Sequence, residues 1–229
     1  VADPTAPFPD FEIRGELGRG TTGVVYDVHW TSLNRRVALK VPFLSPESER
    51  ARRASQFLSE AKALASLSGR SPARVPTLYL LAEYKGQPFY ARELVDGDTL
   101  ERKVATWAVD LRAALTIVAD VASGVQWVHE QGLVHRNISA ANVLLDADGG
   151  PRLIGFGRVR QIAGARSIPI DDAGTTIDVD LQGLRNLLQS VCAALGHRIP
   201  DSLDHAIGFE PAKTAESFAA AIAGYLRGE

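Results

Sequence analysis

Apolar and polar residues alternate along Phe11–Gly18 and again along Val24–Trp30, on either side of a glycine-rich stretch, and the pattern predicts a strand–turn–strand. Arg36–Pro42 reads as a third short strand. A helix opens at Ser45, with Pro46 in a first-turn position and Glu47 and Glu49 close behind. Phe57, Ala61, Leu64 and Leu67 keep helical spacing, and Gly69 closes the segment. Leu78–Tyr84 and Pro88–Glu93, joined at Gly86, form a hairpin. Beyond Asp96-Gly97-Asp98 the period changes. Leu111–Gln131 repeats every 3.6 residues through Leu115, Val118, Val121, Ala122, Val125 and Val128. Two short strands flank the turn Asp146–Pro151, and Asp178–Leu195 and Thr214–Leu226 are further helices. Strands first and helices second predict an α+β chain with two unequal lobes.

Composition adds little to that picture. The 229 residues are 45% hydrophobic with a formal net charge of −2, which fits an ordinary globular chain and carries no nucleic-acid footprint. The single cysteine, Cys192, lies in the apolar run Leu187–Leu195, reads as a buried thiol, and rules out an internal disulfide framework. No run of about 18 consecutive apolar residues suggests a membrane span, and a reducing, cytoplasmic setting is expected. The chain begins at Val1 and contains no methionine, as a domain excised from a longer protein would.

Four motifs carry a resemblance. Gly18-Arg19-Gly20-Thr21-Thr22-Gly23-Val24-Val25 matches G-x-G-x-x-G-x-V between two strands, although glycines there can also serve a tight hairpin. Val37-Ala38-Leu39-Lys40 follows on a strand, with Glu60 on the next helix. Val134-His135-Arg136-Asn137-Ile138-Ser139-Ala140-Ala141-Asn142 precedes Ile154-Gly155-Phe156-Gly157. In this order they resemble the glycine loop, V-A-I-K strand, catalytic loop and D-F-G segment of protein kinases, bacterial Ser/Thr kinases above all. The resemblance implies one kinase-like domain over residues 1–229. It has a β-rich N-lobe with one main helix over about 8–95, and a mostly helical, truncated C-lobe over 96–229. It also implies a nucleotide seat formed by Gly18, Gly20, Gly23, Val25, Ala38, Lys40, Glu60, Glu93, Val95 and Asn142. Arg92 falls at the gatekeeper position. Its expected partner is Glu60, which would leave Lys40 unpaired; with the register off by one, Arg92 would face solvent.

The departures from the family fall on its chemistry. Asn137 stands where a carboxylate base is expected, Ser139 replaces the loop lysine, and Gly155 replaces the aspartate that would hold Mg²⁺. These degenerate positions leave no catalytic residue and no metal site, since Asn142 alone survives of the metal-binding pair. Asp178 is expected to steady the His135-Arg136 turn. The segment from Gly157 to Asp178 is short for an activation segment, and Thr175 and Thr176 within it are candidate phosphorylation sites. The expected function is therefore that of a pseudokinase, not an enzyme: a scaffold or allosteric regulator with a protein partner. It would require no cofactor and bind ATP or ADP weakly and without Mg²⁺. The alternative is an unconventional ATP-dependent transferase using the kinase cleft.

Overall fold

The computed structural model describes residues 8, 10–20, 22–43, 46–70, 74–106, 110–161, 177–208 and 213–228. They fall into two compact units, one of residues 1–72 and 76–95, the other of 73–75 and 96–229. The candidate phosphorylation sites Thr175 and Thr176 lie outside the described residues.

The first unit is a five-stranded antiparallel sheet with one long helix. Its strands are β1 (Phe11–Arg19), β2 (Gly23–Trp30), β3 (Arg35–Pro42), β4 (Leu78–Tyr84) and β5 (Gln87–Glu93), in the order β1-β2-β3-β5-β4. Helix α1 spans Arg50–Leu67, preceded by a 3-10 turn at Glu47–Glu49, so the helix proper starts later than the acidic cluster suggests. Two-residue periodicity separates the faces of the sheet. Val24, Tyr26, Val28, Val37, Leu39, Val41, Phe89 and Ala91 build one core with Phe8 and Phe11. The opposite face carries a row in which Val25 pairs with Lys40 and Lys40 with Tyr90. There the Phe57 ring of α1 stacks on Tyr90 at 5.1 Å. Both faces of β5 are therefore covered, and Phe89-Tyr90-Ala91-Arg92 is buried without alternation.

The second unit begins with β6 (Asp98–Thr99) and contains α2 (Leu100–Thr106), α3 (Leu111–Glu130), β7 (Leu133–Val134), β8 (Val143–Leu145), β9 (Pro151–Leu153) and β10 (Arg160–Gln161). It ends with α4 (Asp178–Ala194), α5 (Asp201–Ala206) and α6 (Ala215–Arg227). Strands β6, β8 and β9 make one small sheet, and β7 pairs with β10. Asp110 caps α3 by accepting from Ala113 N at 2.8 Å, and a reciprocal Thr214–Ser217 capping box starts α6. Helix α3 has the length and apolar composition of a membrane span. Its apolar stripe, Leu115, Val118, Val121, Ala122, Val125 and Val128, is buried in the unit, where α3 packs against α4 and α6. That is the behaviour of a core helix. Cys192 is buried on α4, where desolvation pushes its thiol up, away from the reactive thiolate.

Candidate functional site

In the first unit, sheet pairing sets Lys40 between Val25 and Tyr90, and α1 brings Glu60 to it. Lys40 Nζ donates to Glu60 Oε2 at 2.6 Å, with both side chains buried. Tyr90 Oη donates to the other carboxylate oxygen, Oε1, at 3.0 Å. Desolvation first, then the Glu60 charge, holds the Tyr90 phenol well above its ordinary range, so it remains a neutral donor. Arg92 is only 7% exposed, which excludes a solvent-facing gatekeeper. It does not take Glu60, however. Its Nη1 donates to the Glu93 carbonyl at 3.0 Å, and its positive charge lies beside the Tyr90 phenol. Glu60 is bonded by Lys40 and Tyr90 while Arg92 donates to a backbone carbonyl, and the expected displacement of Lys40 does not occur.

The three loop glycines differ in what the fold asks of them. A Cβ at Gly23 would overlap the Val41 carbonyl and lie 2.9 Å from Pro42 Cα, so the sheet itself requires a glycine there. A Cβ at Gly18 or Gly20 would meet no described atom within 4 Å, so packing does not explain those two. Ala38 is fully buried beside Lys40, Val95 is buried, and Val25 is half-buried. Glu93 closes β5, its backbone N–H on Thr77 O at 2.8 Å and its carboxylate accepting from Thr77 N.

In the second unit, a buried carboxylate organises the segment around Asn137. It is Asp180, not Asp178 as the sequence suggests. Asp180 accepts from His135 N at 2.8 Å, Arg136 N at 2.6 Å and His129 Nε2 at 2.9 Å. Asp178 is exposed in the first turn of α4. The helical period explains the difference: Asp180 lies on the stripe of Leu184, Leu187, Leu188 and Val191, and Asp178 lies off it. Arg136 is held at φ 61, a left-handed conformation that is costly for a side-chain-bearing residue, and the Asp180 bond helps to fix it. Burial pushes the Asp180 carboxyl up, but the His129 hydrogen bond, the His135 charge and the two backbone N–H groups together hold it below the usual range.

The residues at the altered positions form an uncharged network. Asn137 Nδ2 donates to the Gly155 carbonyl at 3.3 Å, and Asn142 Nδ2 donates to Asn137 O at 2.9 Å and Ser139 Oγ at 3.1 Å. Gly155 has φ +81, and a Cβ there would overlap the Asn142 amide, with Asn142 Cγ 2.7 Å away. Mg²⁺ in phosphotransfer sites is ordinarily held by one or two carboxylates. The donors here are neutral amides and a hydroxyl, and no group of three or more His, Cys, Asp or Glu is placed to hold a metal ion among the described residues. The residues present do not fit a kinase-type Mg²⁺ centre. Asp146 does not supply the missing charge, since it holds its own turn through Asp148 N, Gly150 N and Arg152 Nε.

The chain belongs to the protein kinase family, and the protein kinase domain model matches residues 11–180. It is 37% identical over 153 residues to a DNA damage-responsive serine/threonine-protein kinase, RqkA, of Deinococcus radiodurans, covering 65% of this chain and 22% of that protein. It is 35% identical over 155 residues to the serine/threonine-protein kinase PknK of Mycobacterium tuberculosis, covering 67% and 14%. With PknL of the same organism it shares 32% over 158 residues, covering 67% and 38%. The chain spans well under two thirds of each of these proteins. Relatives named as protein kinases at 32–37% identity overturn the expectation that the chain is not an enzyme. The physical reason is that substitutions at three positions lower the rate a site can reach and do not by themselves make it inactive. Within the first unit the Lys40–Glu60 pair is formed, and within the second the His135-Arg136 turn is held by Asp180.

Proposed function

We propose that the chain is an ATP-dependent phosphotransferase domain of the Ser/Thr protein kinase type, working slowly and with an unconventional set of polar groups. The observation that carries this reading is the buried Lys40–Glu60 pair at 2.6 Å, which holds the phosphate-contacting lysine in one position. The unexplained glycines at 18 and 20 support it, since open backbone on a strand-to-strand loop suits close approach to phosphates. Phosphoryl transfer passes through a loose transition state, in which positioning and electrostatic stabilisation do most of the work. A general base contributes about 10²–10⁴ in rate. Asn137 can orient an acceptor hydroxyl through its amide but cannot take the proton. From a kinase turnover of about 1–100 s⁻¹, that loss alone leaves about 10⁻⁴–1 s⁻¹. The acceptor proposed is a Ser or Thr hydroxyl of a protein partner, by analogy with the names of the relatives, and the use of ATP implies an intracellular setting.

The test combines calorimetric titration of ATP and ADP, with and without Mg²⁺, with transfer of γ-labelled phosphate to Ser/Thr peptide mixtures. Wild type is expected to bind ATP and transfer label slowly, and Lys40→Ala to abolish both. Transfer indistinguishable from the Lys40→Ala background would refute the reading.

A further inference from the structure

The Lys40–Glu60 pair has two further polar residues beside it, Tyr90 and Arg92. Tyr90 and Arg92 stand on the same face of β5, opposite Lys40 and Ala38 of β3. Glu60 uses one carboxylate oxygen for Lys40 at 2.6 Å and the other for the Tyr90 hydroxyl at 3.0 Å. The Tyr90 oxygen interacts in turn with the Arg92 guanidinium. The phenol donates to the Glu60 anion beside the Arg92 cation, whose charge polarises the O–H group and strengthens that bond. The Phe57 ring stacked at 5.1 Å fixes the plane of the Tyr90 ring, and Arg92 is anchored by its bond to the Glu93 carbonyl. A carboxylate bound at only one oxygen can swing about its side-chain torsions. With both oxygens engaged from the sheet, Glu60 is clamped, and Lys40 with it.

We infer that Tyr90 and Arg92 are positioning residues that clamp Glu60 onto Lys40, so that the phosphate-contacting lysine is set in place before any nucleotide arrives. The inference rests on the reading of Lys40 as that lysine. Arg92 therefore acts through Tyr90, as part of the lysine's support.

The clamp is tested on the whole chain by the rate of Lys40 acylation with acetic anhydride under native conditions. Labelling is quantified by peptide mass spectrometry against the exposed Lys85. Tyr90→Phe keeps the stacked ring and removes the hydroxyl, and it is expected to speed Lys40 labelling about three- to tenfold without nucleotide, the factor carried by one net hydrogen bond. Arg92→Leu is expected to move it the same way but less. The double variant should go no further than Tyr90→Phe, because Arg92 acts through the phenol. Unchanged Lys40 labelling in Tyr90→Phe overturns the inference, even if that variant unfolds at lower urea, since a merely structural tyrosine would do only the latter. Failure of ATP to protect Lys40 in wild type would defeat the nucleotide reading and leave the clamp standing. If Tyr90→Phe does not fold, wild type labelled with ¹³Cζ-tyrosine decides. The Tyr90 signal is expected to shift in Glu60→Gln, and an unmoved signal overturns the clamp.

Discussion

Replacing Asp180 by alanine removes the one acceptor shared by three donors in a site with no exposure of its own. Two of the donors are the backbone N–H groups of His135 and Arg136, at 2.8 and 2.6 Å, and the third is the His129 imidazole. A buried donor left without a partner costs about 1–3 kcal/mol, so the two backbone groups alone set a loss of about 2–6 kcal/mol. Whole domains are stable by about 5–15 kcal/mol, so this is a large share. With a urea dependence of about 2 kcal/mol/M, the midpoint falls by about 1–3 M. The assay is urea unfolding followed by fluorescence in a Trp30→Phe background, where the remaining tryptophans belong to the second unit. Asp178→Ala is the matched control, and its exposed position limits the loss to about 1 kcal/mol. The folded-state pKa of Asp180 is depressed, so its contribution is present above the ordinary carboxyl value and is lost as pH falls through the depressed one. The gap between wild type and Asp180→Ala should therefore narrow below about pH 4. A loss under about 1 kcal/mol in Asp180→Ala, or a larger one in Asp178→Ala, would refute this account of the His135-Arg136 turn.

Three further predictions follow from the same geometry. Gly155→Asp meets the Asn142 amide and a φ of +81, so it is expected to lower the unfolding midpoint and to leave ATP affinity insensitive to Mg²⁺ in calorimetry; a clear Mg²⁺-dependent tightening would contradict the overlap. Gly23→Ala is expected to disrupt the β2–β3 pairing and fold poorly, whereas Gly20→Ala should keep the wild-type melting temperature and weaken ATP binding, as circular dichroism and calorimetry would report. Asp10 is held down to about 2, first by the Ser32 hydroxyl and then by that of Thr31. Its clasp on the β2–β3 turn is present above the ordinary carboxyl range and released as pH falls toward 2. Asp10→Asn should flatten the acid limb of a thermal melt across that window, and an unchanged limb would speak against the clasp.

The strands and long helices were legible because each has one buried face over several repeats: Leu78–Tyr84 and the start of α3 at Leu111 agree to the residue. Helices α2 and α5, of seven and six residues, were not, since neither completes enough turns to show a period. Lys40, Glu60 and Asn142 could be picked out by their motifs. Tyr90 could not, because β5 is covered on both sides and its buried run hides which residues share a face. Asp180 was within reach: it continues the Leu184, Leu187 and Val191 stripe, and that period was a better guide than the motif alignment that favoured Asp178. The non-catalytic expectation went wrong by reading three substituted side chains as decisive for the class of the protein.

The contact between Gly155 and Asn142 also bears on how this sequence can change over time. Without a side chain at 155, the asparagine amide has settled into the volume that a β-carbon would need, and its hydrogen bonds to Asn137 and Ser139 hold it there. A single codon change restoring a carboxylate at 155 would therefore arrive in an occupied place, with a strained backbone and a displaced amide, before it could offer any benefit. A carboxylate at 155 calls for a second replacement at Asn142 to make room for it. Positions 155 and 142 are thus tied together, and a side chain at the first requires a smaller or displaced one at the second.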